Sequence, residues 1–324
     1  MQAAPALREV IGAEGKRPDV GEFERGMSWL PWQPAVISAT ALATFGVPAR
    51  RARDRRVALA GAFARETAIV LVLYAIWQLA GQLSVMQVTG ALDRGRWVWQ
   101  LERTLHLPSE VTLQQAVLPY RGLVEAANSY YAIMHVPALV AFLVWLFVRH
   151  RERYPAVRNV LAIATGSALA MQLVPLAPPR MLPGLGFVDT AARYHQSVYE
   201  PLGRGLAGQL SAMPSVHVAW AVLIGVAVWS IGRGSGRWIG PGHALVTVLV
   251  VVVTANHWWL DGIVAVMLLG LAWELDRSTR RVTRAWQVRS GRVIVLPDAS
   301  VPVASEPGRG RVAERAPVSG VRVP

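Results

Sequence analysis

Six apolar runs dominate the sequence between residues 64 and 275, each close to the ~20 residues that a helix needs to cross a lipid bilayer. They cover residues 64–83, 131–148, 160–176, 216–231, 238–255 and 258–275. Inside a bilayer no water is present to satisfy backbone N–H and C=O groups, so runs of this kind can only be helices. The predicted fold class is therefore all-α, a polytopic transmembrane helical bundle with a six-helix core. A shorter, Pro-flanked run at 35–47 predicts an interfacial helix, with a seventh span as the alternative reading.

Charge gives the runs their orientation. The chain is 53% hydrophobic and 16% charged, yet carries a formal net charge of +13. A basic balance of this size can mean nucleic acid, but here the arginines flank the apolar runs, which is the pattern of membrane topology and not of a nucleic-acid surface. Arg50, Arg51, Arg53, Arg55 and Arg56 precede the first run; Arg149, Arg151, Arg153 and Arg158 join the second and third. Arg233 and Arg237 join the fourth and fifth, and Arg277, Arg280, Arg281 and Arg284 follow the sixth. These segments are expected on the cytoplasmic side, and the sparsely charged links 84–130 and 177–215 outside. The chain has no cysteine, which excludes a disulfide framework and a thiolate metal site. Residues 1–28 show no removable signal peptide, so the first span is expected to target a multi-pass protein to the plasma (inner) membrane. The expected organisation is a cytoplasmic N-terminal region with the interfacial helix at 1–60, a six-span catalytic domain at 61–276 and a basic tail at 277–324. From about residue 291 that tail is rich in Pro, Gly, Ser and Val without helical period, and disorder is expected.

Three polar motifs interrupt the apolar pattern. PLAPPRML, residues 175–182, stops the third run and leaves Arg180 at its outer end. An arginine at membrane depth needs a partner, and its planar fork suits phosphate; alone it also reads as an interfacial arginine reaching for lipid headgroups. SAMPSVHVAW, residues 211–220, opens the fourth run: Pro214 fits a first helical turn whose free N–H groups attract anions. Ser215 then offers a hydroxyl donor and His217 an imidazole, although a plain helix cap and a hydrated histidine fit the same letters. NHWWLDG, residues 256–262, connects the last two runs. If that stretch is helical, His257 and Asp261 share a face, and the carboxylate can fix the imidazole tautomer and stabilise positive charge on the ring. Trp258 and Trp259 read as an aromatic belt.

Span parity joins the motifs. Arg180 follows the third run, His217 begins the fourth and His257 lies between the fifth and sixth, so all three share a side however the chain is inserted. An arginine, a helix N-terminus, two histidines and a carboxylate are the parts that phosphoryl transfer needs without a metal: charge neutralisation, a nucleophile and a general acid.

These residues resemble the type 2 phosphatidic acid phosphatase superfamily, and within it the branch that includes inositol phosphorylceramide synthases. MPSVH is similar to the superfamily's PSGH-type motif and NHWWLDG to the HxxxD part of its third motif; the resemblance covers about residues 128–274. It implies a six-helix core and metal-independent transfer through a phosphohistidine, with no cofactor. It also implies His257 as nucleophile, Asp261 as its orienting partner, His217 as the acid, and Ser215 and Arg180 as phosphate ligands. The sequence departs from the pattern at Leu173 and Met181, where the first motif has a lysine and a proline, and at Val251, where the third has an arginine. The inositol phosphorylceramide synthase branch lacks that arginine too, and the APPR run resembles its relatives.

The expected function is a lipid phosphotransferase or phosphatase acting on a phospholipid or polyprenyl phosphate, inositolphosphotransferase-like, with its site on the non-cytoplasmic face. His135, near the outer end of the second run, is a candidate headgroup contact. A lipid phosphate phosphatase is the first alternative, since the two reactions differ only in the acceptor. A non-catalytic lipid-binding membrane protein is the second, and transport is disfavoured because no charged side chain sits mid-span.

Overall fold

The computed structural model describes residues 32–84, 90–196 and 209–290, and among them helices are the only regular secondary structure apart from an isolated parallel bridge between Leu176 and Ser211. The chain divides into two compact units, Met1–Ser278 and Thr279–Pro324. In chain order, α1 (Trp32–Ala49) is followed by α2 (Arg55–Ser84), α3 (Ala91–Thr104) and α4 (Glu110–Val117). Then come α5 (Arg121–Ile133), α6 (His135–Arg149), α7 (Tyr154–Met171), the short α8 (Thr190–Arg193), α9 (Val216–Ile231), α10 (Ile239–Val253) and α11 (Trp259–Arg289). The expected tail beyond residue 290 lies outside the described residues.

Helices stand at all six apolar runs, with boundaries set by local chemistry. Among the described residues two helices are long and apolar enough to cross a membrane by length and composition, or three where a bent pair counts as one span. The run at 64–83 belongs to a helix that starts at Arg55, because the Asp54 carboxylate accepts from the Arg56 and Val57 N–H groups, 2.7 and 3.1 Å away, and caps it there. The run at 131–148 is not one helix: α5 and α6 meet at a 52° bend. Pro137 explains the break, since it brings no N–H to the ladder and its ring presses on the carbonyl four residues back, that of Ile133, the last residue of α5. The run at 160–176 leaves the helix after Met171, and Leu176 instead exchanges backbone hydrogen bonds with Leu210 and Ala212. The run at 216–231 coincides with α9, between the Ser215 cap and Gly232.

Packing follows from small residues. A β-carbon on Gly61 would lie 2.3 Å from the Arg50 nitrogen, so α1 and α2 approach at backbone contact, and α1 is a full helix beside α2. A β-carbon on Gly240 would lie 2.8 Å from Cβ of Val228 and 3.1 Å from Cα of Gly225, which sets the equally close crossing of α9 and α10. The main core joins Leu139, Phe142 and Leu146 of α6 to Val157 and Leu161 of α7, Leu223 of α9 and Leu269 of α11. Because α9 and α10 are consecutive and antiparallel, the start of α9 lies beside the end of α10. That brings the second and third motifs together.

The link between α2 and α5 is helical where the sequence predicts only a loop. Ala91, Gly95, Val98 and Glu102 are the buried residues of α3 and fall at helical spacing on one face. A second core beneath this segment gathers Ala91, Val98, Ala177, Leu182, Leu210, Ala212 and Trp258. Trp258 is therefore interior, only 1% exposed and donating from its indole to the Ala177 carbonyl at 3.0 Å, rather than part of an aromatic belt.

Candidate active site

The third motif folds as a helix start. α11 begins at Trp259, so His257 precedes the helix instead of sharing a helical face with Asp261. Asp261 reaches back and accepts from the Trp258 N–H at 2.9 Å, closing the first turn in the manner of a capping box. The same oxygen, Oδ2, lies 3.3 Å from Nδ1 of His257. Nδ1 also lies 2.8 Å from the carbonyl oxygen of Ala212. A carbonyl can only accept, so Nδ1 carries the hydrogen and Nε2 keeps its lone pair. His257 is 4% exposed and Asp261 fully buried, and Oδ1 of Asp261 has no hydrogen-bond partner among the described residues.

The second motif supplies what faces that lone pair. Pro214 lies ahead of the helix and not in its first turn, because Ser215 takes the cap position with extended backbone. The Met213–Pro214 peptide is cis. Ser215 is fully buried, its Oγ accepts from the Val218 N–H at 3.3 Å, and its own N–H donates to the Asp261 carbonyl at 3.2 Å. His217, the second residue of α9, brings Nδ1 to 3.2 Å from Nε2 of His257. Ser215, His217, His257 and Asp261 thus form one contiguous cluster.

His135 joins it from the break between α5 and α6. Its ring centroid is 4.2 Å from that of His217, edge to face, and Tyr131 lies 4.8 Å from His217 and 6.3 Å from His257. Nδ1 of His135 donates to the Tyr131 carbonyl at 3.0 Å, which leaves Nε2 as an acceptor; that atom is buried without a partner among the described residues.

Arg180 comes near through its backbone: its N–H donates to the Ala255 carbonyl at 3.0 Å, two residues before His257. Its side chain is 1% exposed, with Nε 3.5 Å from the Asp189 carboxylate and Nη2 donating to Gln209 at 3.3 Å. Asp189, in the segment between α7 and α9, is thus the countercharge of the arginine. Asn128 and Gln196 are loop fasteners: Thr190 donates to Asn128 at 2.8 Å and Asn128 donates to Gln196 at 3.0 Å.

Three further side chains escaped the sequence reading. Gln114, fully buried, donates to the carbonyls of Val188 and Val253 and accepts from the Val188 N–H, tying the segment before α8 to the end of α10. Glu102 accepts from the Leu260 N–H at 2.8 Å, one residue from Asp261. Glu110 is ion-paired to Arg103 at 3.0 Å. Both carboxylates are buried, and Oε2 of Glu102 and Oε1 of Glu110 have no N–H donor among the described residues. Burial first, then the hydrogen bond to Glu110, push the Glu102 carboxyl from its ordinary 4.5 up to about 9, so it stays protonated and donates to Glu110. No signal in a single sequence marks these residues, since acidic side chains in an amphipathic stretch read as solvated.

The cluster offers a buried imidazole of fixed tautomer with a lone pair on Nε2, a second imidazole within proton-transfer distance and a carboxylate beside the first ring. Among the described residues no group of three or more His, Asp or Glu side chains is arranged to hold a metal ion. A family model described as PAP2 superfamily matches residues 96–275. No curated protein and no solved structure matches the chain.

Proposed function

The chain belongs to the PAP2 superfamily, whose members are phosphatases and phosphotransferases of lipid phosphates, and we propose that it is a phosphotransferase working through a phosphohistidine at His257. The observation that carries this reading is the pair of acceptors at Nδ1 of His257, Ala212 and Asp261, which leaves Nε2 with its lone pair beside His217. Nε2 attacks the phosphorus, the bond from phosphorus to the leaving oxygen breaks, and His217 gives that oxygen its proton. Asp261 balances the charge gained by the His257 ring. In the second half the acceptor oxygen attacks phosphorus, the N–P bond breaks, and the acceptor's proton goes to His217.

Arg180 and Ser215 are assigned to the phosphate. The Ser215 oxygen caps α9 while its hydrogen remains to donate, and Arg180 is held by Asp189 and Gln209 beside the site. His135 is assigned to the headgroup or acceptor hydroxyl, on the strength of its buried Nε2 acceptor next to His217. An acceptor alcohol of the inositol type is preferred over water for this reason and for the likeness of the APPR run to the inositol phosphorylceramide synthase branch. Hydrolysis of phosphatidic acid or a polyprenyl pyrophosphate is the second reading.

The test is to incubate purified protein with a panel of phospholipids and polyprenyl phosphates, with and without inositol or lipid alcohols, and to separate free phosphate from transferred product. Product that appears only with an alcohol supports transfer. Free phosphate at an unchanged rate whatever the alcohol supports the phosphatase, and neither product with any donor removes the enzymatic reading.

A further inference from the structure

A basic cavity of about 470 Å³ opens at the end of the bundle away from His257. Helix α6 separates the two: it runs from His135, beside the histidine cluster, to Arg149, and its 15 residues span roughly 22 Å at about 1.5 Å per residue. The turn after α1, the first three turns of α2 and the turn between α6 and α7 form its walls, with Arg50, Arg55, Arg65 and Arg151 around it and Glu66 as its one acidic residue.

That carboxylate is already engaged. Glu66 is ion-paired with both Arg65 and Arg158. Arg151 lies over the Phe147 ring at 5.0 Å, an orientation that leaves its guanidinium edge available. Arg50, Arg55 and Arg151 have no carboxylate partner among the described residues. Three like charges are held around one concavity by fixed backbone: Gly61 brings Arg50 into contact with α2, and the Asp54 cap fixes where Arg55 begins the helix. Their mutual repulsion is relieved by an anion.

The shape beside the arginines is that of a lipid. Arg55, Leu59 and Phe63 follow one another at four-residue spacing along one face of α2, a charged end followed by an apolar stripe. Leu59 is 48% exposed and Phe63 52%, on a helix long and apolar enough to cross a membrane. A free phosphate would meet only the arginines; a phospholipid lying against α2 meets the arginines and this stripe together. The arginine distribution expects this end on the cytoplasmic side, where anionic lipids gather and basic pockets between transmembrane helices hold their headgroups.

We propose that the cavity bounded by Arg50, Arg55, Arg65 and Arg151 is a binding site for an anionic phospholipid, its headgroup among the arginines and an acyl chain along Leu59 and Phe63, separate from the histidine cluster.

The experiment uses the full chain in a neutral detergent, titrated with dioctanoyl phosphatidylglycerol, dioctanoyl phosphatidylcholine or glycerol 3-phosphate, and reads the half-saturating concentration from the rise in unfolding temperature. Phosphatidylglycerol is expected to stabilise the protein and the other two to have little effect. The double variant Arg50→Gln/Arg151→Gln is expected to raise the half-saturating concentration about thirtyfold, at roughly fivefold per arginine, while Arg180→Gln leaves it unchanged. Should the double variant fail to fold, Arg50→Gln alone, on an exposed turn, is expected to cost about fivefold. The proposal is overturned if phosphatidylglycerol does not stabilise the wild-type chain, or if phosphatidylcholine or glycerol 3-phosphate matches it. Equal response in the arginine variants, or a loss that follows Arg180→Gln, overturns it as well. None of these outcomes depends on turnover at His257.

Discussion

Nε2 of His257 and Nδ1 of His217 lie 3.2 Å apart, a hydrogen-bond distance with no room for a phosphorus atom between them. In the proposed mechanism the lone pair that attacks is therefore held by the general acid in this state. Substrate has to displace the His217 ring, which then follows the leaving oxygen instead of the nucleophile. Two residues acting in one step at one phosphorus should fail in different ways when removed.

His257→Ala is expected to abolish turnover, by about 10⁴-fold or more for loss of a covalent nucleophile, without unfolding the chain. His217→Ala should cost about 10²- to 10⁴-fold with a lipid leaving group and far less with p-nitrophenyl phosphate, whose leaving oxygen needs no proton. Single-turnover kinetics with both substrates check this, and an equal loss for both would remove His217 from the acid role.

Asp261→Asn keeps a side-chain acceptor for the Trp258 N–H but loses the charge that balances the His257 ring. Activity is expected to fall about 10²- to 10⁴-fold, with only a small change in melting temperature. If activity and melting temperature fall together, the residue acts through the helix start alone.

Glu102 sets a pH dependence of stability. Its folded value, about 9, is raised above its ordinary 4.5, so the fold prefers the protonated acid. The stability this contributes is present below 4.5 and is lost as pH rises towards 9. Glu102→Gln keeps an acceptor for Leu260 and a donor for Glu110 and has no proton to lose. It is expected to flatten the fall in melting temperature between about pH 5 and 9, read by thermal unfolding across that range. Glu102→Ala should instead lower stability at every pH. A Gln variant with the wild-type slope would show that the proton resides elsewhere.

Catalysis by the histidine pair should persist in EDTA. Turnover that stops with the chelator and returns with a divalent ion would reassign His257 and Asp261 to a metal.

Much of the site was legible because it depends on order along the chain. The order of the second and third motifs at the start and end of two consecutive helices leads to the close approach of His217 and His257, once α9 and α10 cross at Gly225 and Gly240. Helix α9 could be bounded because its cap, Ser215, and its stop, Gly232, are local signals. The bend at Pro137 was visible as a letter but is lost when hydropathy is averaged over a run. Glu102, Glu110 and Gln114 were not legible, because an acid or amide is buried only when its partners arrive from distant segments, here Leu260, Val188 and Val253. The countercharge of Arg180 is of the same kind: Asp189 caps α8 locally and meets the arginine only in the folded chain.

The clamp made by Gln114 has a dynamic consequence. Arg180 is bonded to Ala255, Val188 to Gln114 on both its N–H and its carbonyl, and Thr190 to Asn128, so residues 180–190 are fastened at both ends, the second end twice. Such a segment is a wall of the site and not a lid. Its amides should exchange with solvent as slowly as those of α10, with Val188 opening only when Val253 does. If hydrogen exchange bears this out, the group among the described residues that has to move for a substrate to reach Nε2 of His257 is the His217 imidazole.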